Sequence, residues 1–192
     1  MPIDHVIFAT ADPDAAATRL EAEHGLVAVG GGRHEGMGTH NRIVPLGGGY
    51  LELMGVADPE EAAASPLGRP LKERIEAIGE GLMAWCVAVP DVVSTAERLG
   101  TTLHVVARDG LSSRVTGVET ALSDPSLPFF ITRDQGVADP GAGADEGGIT
   151  WVEVAGDRDR ISAWLGDARL PLRILDGPPA LLGVGVGDRE LR

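Results

Sequence analysis

The stretch PIDHVIFATADPDAAATRL (residues 2–20) decides the fold, because its pattern occurs three times along the chain. It combines an apolar segment at 2–10, typical of a buried strand, with Asp12-Pro13, typical of a helix N-terminus. Related stretches are LMAWCVAVPDVVSTAERL (82–99) and ITWVEVAGDRDRISAWL (149–165). When Asp12, Asp91 and Asp157 are aligned as helix starts, Leu20, Leu99 and Leu165 each follow eight residues later. Internal repetition of this kind constrains the fold before any motif does.

Each repeat continues into further strands. In the first copy we expect strands at 26–29, 42–46 and 50–54, and in the second at 102–107, 115–122 and 128–132. The third copy is shorter, with strands at 172–175 and 180–186. The sequence therefore predicts an α+β fold in one compact domain, with helices outside a curved mixed sheet and a cleft inside. Its parts are a βαβββ module (1–57), a connector with a short helix (58–81), a second βαβββ module (82–133), a surface loop (134–148) and a partial third βαββ repeat (149–192).

Composition limits the classes of partner. The chain of 192 residues is 43% hydrophobic and has a formal net charge of −13, which disfavours nucleic acid and anionic membrane surfaces. No apolar run approaches the roughly 20 residues of a membrane-spanning helix. The single cysteine, Cys86, cannot form an internal disulfide, and the N-terminus lacks a signal-peptide pattern. We expect a cytoplasmic protein.

The stretch from Gly32 to Met54 is the candidate site. It reads as a polar loop interrupted by glycines, followed by a strand, a glycine turn and a second strand that carries Glu52 between two leucines. It holds two of the five histidines and the only asparagine, Asn41. Loops supported by a rigid scaffold often carry binding chemistry, so we expect the ligand here.

Five motifs carry a resemblance to a known family. They are Ile3-Asp4-His5, GRHEGMGTHN (32–41), YLEL (50–53), RDG (108–110) and PFFI (128–131). Together with the tandem βαβββ order, they resemble the glyoxalase-like domain proteins of the vicinal oxygen chelate superfamily, across essentially the whole chain. This superfamily includes lyases, isomerases, dioxygenases, epimerases, hydrolases and non-catalytic binders, so the resemblance implies a fold more strongly than an activity.

The resemblance implies a metal site formed by the first and fourth strands of both modules. The matching first-module residues are His5 and Glu52, whereas the second module has Ala84 and a position near Ile131 or Thr132, none of which is a typical ligand. The implied cofactor is one divalent ion (Zn, Mn, Ni or Fe), or none. Because three protein ligands are usual, a third would come from His34, His40 or a partner subunit.

His5 and Glu52 each have a structural alternative. His5, expected on the same strand face as Ile3 and Ile7, is either hydrogen-bonded in the core or a ligand in the cleft. Glu52 either pairs with an arginine, such as Arg42 or Arg33, or acts as a metal ligand or as a general base with a raised pKa.

Five further residues are candidates for substrate binding. Arg33 and His34 would recognise an anion or a carbonyl group at the mouth of the cleft, or else cap backbone groups in the loop. Asn41 would donate a hydrogen bond to the substrate or tie the loop to the next strand. Tyr50 and Phe130 would line a wall of the cleft or belong to the core.

Two functions follow from these residues and the resemblance. The first is a divalent-metal-assisted lyase or isomerase, or a dioxygenase, that acts on a small polar carbonyl or vicinal-oxygen compound. The alternative is a metal-free protein that sequesters a small molecule, as in the resistance branch of the superfamily. The resemblance also implies a homodimer.

Overall fold

The computed structural model describes residues 1–108, 111–134 and 136–192. Part of the RDG motif, at 109–110, lies outside these residues. The elements, in chain order, are β1 (Ile3–Ala9), α1 (Pro13–His24), β2 (Val29–His34), β3 (Thr39–Pro45), β4 (Tyr50–Val56), α2 (Pro59–Ala64), α3 (Gly68–Ile78), β5 (Gly81–Ala88), α4 (Val92–Leu99), β6 (Leu103–Arg108), β7 (Leu111–Thr116), α5 (Val118–Ser123), β8 (Phe129–Arg133), β9 (Ile149–Ala155), α6 (Arg158–Leu165), β10 (Leu172–Leu175), β11 (Ala180–Val186) and β12 (Arg189–Leu191).

The first two modules share one eight-stranded sheet in the order β2-β3-β4-β1-β5-β8-β7-β6. Within the modules β1 pairs with β4, and β5 with β8, in parallel, while β1 and β5 pair antiparallel at the centre of the sheet. The two edge strands, β2 and β6, approach each other without pairing, so the sheet curls into a half-barrel. The predicted α+β fold with βαβββ modules is confirmed.

The three aspartates that define the repeat all cap helices. Asp12, Asp91 and Asp157 accept hydrogen bonds through their side chains from backbone N–H groups in the first turns of α1, α4 and α6. These bonds satisfy donors that a helix N-terminus would otherwise leave unpaired. The repeat alignment made from the sequence therefore corresponds to a common local structure.

The third repeat forms a separate four-stranded sheet in the order β10-β9-β11-β12. Its buried side chains, such as Val152, Val184 and Ile161 of α6, belong to the same apolar cluster as Val6 and Trp85 of the large sheet. This outer cluster joins the two sheets into one core. The residue bounds of the modules, connector and loop remain predictions.

Two local predictions were wrong, and one further helix was not predicted. The second strand is Val29–His34, not 26–29, so the glycine-rich segment is an edge strand and not a loop. Gly31 permits this pairing, because a Cβ at that position would lie 2.0 Å from the carbonyl oxygen of Asn41. The strand predicted at 115–122 ends at Thr116, and helix α5 follows Gly117. The connector contains a second helix, α2, whose N-cap is Asp58.

A second apolar cluster fills part of the concave side of the sheet. It combines Ile7, Met54 and Met83 of the sheet with Leu71 of α3 and Ala121 of α5. The two helices close one part of the concavity and leave a cavity beside it. Among the described residues, no helix has the length and apolar character needed to cross a membrane.

Candidate functional site

A cavity of about 300 Å³ lies on the concave side of the large sheet. Most of its lining is aliphatic and comes from both modules, for example Ile7, Leu71, Val106 and Ile131. The polar lining residues are His5, His34, Tyr50, Glu52, Ser113 and Arg133. A ligand of this cavity would therefore contact a mainly apolar wall and a small set of polar groups.

Glu52 of β4 is the centre of the polar group. It is 6% exposed, and its carboxylate lies between two imidazoles: Oε2 is 3.5 Å from His5 Nε2, and Oε1 is 3.5 Å from His34 Nε2. Asn41 Nδ2 donates a hydrogen bond to Oε1 over 2.5 Å. The structure therefore brings together four of the predicted site residues, from strands β1, β2, β3 and β4.

These neighbours keep Glu52 ionised. Burial raises the pKa of Glu52, but the hydrogen bond of His34, the charges of His5 and His34 and the amide of Asn41 lower it to about 2, from 4.5. A general base with a raised pKa, one of the alternatives from the sequence, does not fit this environment. A carboxylate that is charged at neutral pH, and so is suited to a cation, does.

Both imidazoles are oriented by hydrogen bonds at their other nitrogens. His5 Nδ1 lies 2.6 Å from Asp4 Oδ1, and His34 Nδ1 lies 2.9 Å from Thr39 Oγ1. Because an ionised carboxylate can only accept, His5 Nδ1 carries a proton. If Nε2 also carries a proton, it donates to Glu52. If Nε2 carries only a lone pair, it and the carboxylate are both acceptors, so a cation is required between them.

The sequence analysis missed Asp4 and Arg133. Arg133, at the end of β8, donates from Nη2 to Asp4 Oδ1 over 2.6 Å and from Nη1 to Asp4 Oδ2. Burial raises the pKa of Asp4, but hydrogen bonds and charges from His5 and Arg133 hold it well below its usual range. The same pairing raises the pKa of Arg133 against the opposing effect of burial.

A register shift in β1 explains why Asp4 was missed. The β1–β5 pairing shifts between Ile3 and His5, so strict alternation along the strand is broken at Asp4. His5 shares the cavity with Ile7, as expected, but Ile3 belongs to the outer cluster and not to the same face. The sequence did hold one signal for Asp4: it is a second polar residue, next to His5, in a strand predicted to be buried.

Aromatic rings hold the His5 imidazole from two sides. The ring of Tyr50 is stacked on it with centroids 4.6 Å apart, and Phe129 makes an edge contact at 5.3 Å. The Tyr50 hydroxyl lies 3.4 Å from Arg133 Nη2. Burial, followed by the charges of Glu52 and Asp4, raises the pKa of Tyr50, so the phenol remains protonated.

Two predicted substrate-binding residues lie elsewhere. Arg33 is half exposed and pairs with Glu61 of α2 and, at 3.5 Å, with Asp58, so it ties β2 to α2 outside the cavity lining. Phe130 is 1% exposed in the outer cluster, where its ring contacts Trp164 at a centroid distance of 6.3 Å. Phe129, its neighbour on the other face of β8, lines the cavity instead.

Asn41 is buried and connects strand β2 to Glu52 through hydrogen bonds. Its Oδ1 accepts from the backbone N–H of Gly32 over 3.0 Å while its Nδ2 donates to Glu52. This arrangement matches the structural tie that the sequence suggested, and it also fixes the rotamer of Glu52.

Among the described residues of the second module, none at the equivalent positions is a typical ligand. The ladder pairs Ile7 with Glu52 in the first module and Cys86 with Phe129 in the second. With the 79-residue offset between Asp12 and Asp91, Phe129 is thus the counterpart of Glu52, a correction to the expected Ile131 or Thr132. Ala84, the counterpart of His5, does line the cavity.

Of the two histidines considered as third ligands, the structure brings His34 to Glu52.

A second group of potential ligand atoms lies behind His5. Atoms of Asp4, His5 and Cys86 are within 4.8 Å of one another. Burial, followed by the charge of Asp4, raises the pKa of the Cys86 thiol well above its usual value, and Asp4 is already paired with the Arg133 cation. This group is a weaker match to a divalent ion than the one around Glu52, because a metal requires a thiolate and not a thiol.

Comparisons with known proteins agree with this architecture. A family model described as "Glyoxalase-like domain" matches residues 3–169. A hypothetical protein from Staphylococcus aureus superposes with a TM-score of 0.70 at 17% identity, covering 92% of this chain and 86% of that chain. A methylmalonyl-CoA epimerase from Streptomyces coelicolor has a TM-score of 0.56 at 19% identity, covering 69% and 97%.

The corresponding epimerase from Mycobacterium tuberculosis has a TM-score of 0.51 at 17% identity, covering 68% of this chain and 85% of that chain. A search of curated proteins found no match. At these identities the solved structures support the fold alone, whereas the family model spans most of the chain. The chain therefore belongs to the glyoxalase-like domain family.

Proposed function

We propose that this protein is a metal-dependent enzyme of the lyase or isomerase type, acting on a small carbonyl or vicinal-oxygen compound held in the cavity. The observation that carries the proposal is the position of the ionised Glu52 between the Nε2 atoms of His5 and His34, 3.5 Å from each. Two imidazoles and one carboxylate converging at the end of an apolar cavity form a donor set typical of divalent transition metals.

The residues around this donor set also suit a metal. His5 and His34 have hydrogen-bond partners, Asp4 and Thr39, at the nitrogen that would face away from the ion, as metal-bound histidines usually do. With neutral imidazoles, the buried charges of Asp4, Glu52 and Arg133 sum to one net negative charge. A divalent cation would change this to one net positive charge. An anionic oxygen of the substrate would then make the site neutral.

The protein groups have separate tasks in this proposal. A bound divalent ion would supply Lewis-acid polarisation of a substrate oxygen. Arg133 keeps N–H donors beyond those given to Asp4 and Tyr50, so it can bind a second oxygen of the substrate. Tyr50 and Phe129 fix the His5 ring, and the aliphatic walls exclude water from the reacting oxygen.

A metal-free binding protein is the second candidate. It is favoured by Ala84 and Phe129, which cannot bind a metal and occupy the second-module positions equivalent to His5 and Glu52. In that case a protonated His5 or His34 would pair with Glu52, and the cavity would hold its ligand without turnover.

Metal content separates the two candidates. Protein purified without chelator would be examined by elemental analysis for the wild type, His5→Ala, His34→Ala and Glu52→Gln, with His24→Ala at the end of α1 as the matched control. We expect near-stoichiometric Zn, Mn, Ni or Fe in the wild type and control and its loss from the three site variants. A wild type that carries no metal and binds none on titration would reject the metal-dependent enzyme and leave the binding protein.

A further inference from the structure

All three internal methionines of the chain line one cavity. Met37 comes from the turn between β2 and β3, Met54 from β4 and Met83 from β5, and the fourth methionine is Met1. They therefore reach the same space from three separate segments of the chain.

These side chains form part of the cavity wall. Met54 and Met83 are 9% and 8% exposed and belong to the concave cluster with Leu71 and Phe129. The turn that carries Met37 packs closely on the start of α3, since a Cβ on Gly68 would lie 2.0 Å from the Met37 carbonyl oxygen. The backbone behind the methionine is thus fixed, while its side chain faces the cavity.

Away from the polar region, most of the wall that the described residues form is aliphatic. Among the described residues, the aromatic rings of Tyr50 and Phe129 are both placed beside His5, in the polar region. Away from them the wall consists of side chains such as Ile7, Leu71 and Val118 together with the methionines. Methionine has three rotatable bonds and a polarisable sulfur, so a wall built from it adapts to the shape of its ligand.

We infer that the ligand of this cavity has a flexible aliphatic chain, packed against Met37, Met54 and Met83, and a carbonyl or carboxylate head beside His5, Glu52 and Arg133. The assignment of the head rests on the proposed function, whereas that of the chain rests on the wall alone. A volume of about 300 Å³ is at the small end for ligand cavities, so the chain is short.

The test is calorimetric titration of the purified protein, with its metal content measured, against straight-chain 2-oxo acids of increasing length. Each methylene buried against the wall should tighten binding by about fourfold, until the cavity is full. Branched and straight isomers of equal carbon number should bind comparably, because the thioether side chains can repack.

Two variants narrow the cavity from different walls. Met83→Phe, and independently Val118→Phe from α5, should weaken binding of the longest acid that binds the wild type by on the order of tenfold, since they remove room for two or more methylenes. Binding of the shortest acid and the metal content should not change. The exposed Val105→Phe is the matched control, and we expect it to bind the series as the wild type does.

The outcomes separate this inference from the proposed function. If the protein holds metal and binds the short acids, but affinity is flat along the series, the aliphatic site is rejected and the proposed function stands. If metal is absent but affinity rises with chain length, the metal-dependent enzyme is rejected and the aliphatic site stands. A series in which no member binds rejects the aliphatic site.

Discussion

At the scale of single residues, the molecule is organised around Glu52, a buried carboxylate that stays charged. A buried charge is costly unless partners compensate it, and here two imidazoles and one amide do so. The same partners make the residue available to a cation, because its protonated form is disfavoured. Structural stability and the proposed chemistry therefore depend on the same contacts.

The first prediction concerns the acid stability of chelator-treated protein. Because the pKa of Glu52 is lowered to about 2 from 4.5, its ionisation stabilises the folded state. The whole of this contribution is present at pH values above the pKa of the unfolded state. That contribution, about 3 kcal/mol, is lost as the pH falls from about 5 to about 2. Over this pH range, the free energy of unfolding measured by urea denaturation should fall further for the wild type than for Glu52→Gln. The expected difference between the two falls is about 3 kcal/mol.

The control for this prediction is Glu97→Gln on the exposed face of α4, which should follow the wild type at every pH. If Glu52→Gln and the wild type lose stability in parallel between pH 5 and pH 2, Glu52 is not ionised in the folded state.

Some of the polar residues of the site could be predicted from the sequence, and others could not. His5, Glu52, His34 and Asn41 were identified because they lie in three short motifs of one module. Asp4 and Arg133 were not, since their ion pair joins positions 129 residues apart and depends on a register shift that alternation does not reveal. Phe130 was predicted to line the cleft, but Phe129 does so. The face of a buried strand cannot be assigned from sequence when neighbouring residues are all apolar.

At the scale of elements, local signals were reliable where they combine a cap with a periodic pattern. The helices that begin after Asp12, Asp91 and Asp157 were all predicted from a capping aspartate. The errors fell where tertiary contacts override local preference. Glycines 30–32 read as a loop but pair as a strand, because Gly31 allows β2 to lie close to β3.

The second prediction concerns these caps. Asp91→Ala removes the acceptor for the N–H groups of Val93 and Ser94 and should lower the free energy of unfolding by about 1 kcal/mol. Asp91→Asn, the matched variant, retains a capping oxygen and should cost much less. Equal losses in both variants, measured by chemical denaturation, would show that the charge of Asp91 matters and its cap does not.

At the scale of the whole molecule, two apolar clusters lie on opposite sides of one curved sheet. The concave cluster borders the cavity, and the outer cluster joins the large sheet to the third repeat. The third repeat is thus a structural support for strands β1 and β5, which carry or adjoin the site. The cytoplasmic location and the homodimer that the sequence suggested remain predictions.

The third prediction tests this coupling. Ile161 of α6 is 1% exposed in the outer cluster, and Ile161→Ala should cost about 3 kcal/mol through the cavity that it leaves. Because one cluster spans both sheets, near-ultraviolet circular dichroism and tryptophan fluorescence should report a single common transition. Ile78→Ala, at a position 73% exposed, should change stability by less than about 0.5 kcal/mol. Two separate transitions in the wild type would show that the sheets unfold independently.

The pairing of Asp4 with Arg133 has a consequence for synthesis on the ribosome. His5, His34 and Glu52 all emerge within the first module, whereas the cation that neutralises Asp4 is added 129 residues later. A nascent chain that has completed only its first module therefore exposes the concave face of β1 to water and keeps Asp4 solvated, since burying it unpaired is unfavourable. Closure of the half-barrel must wait until β8 has been translated, so the order of translation makes this ion pair a late event in the maturation of the site.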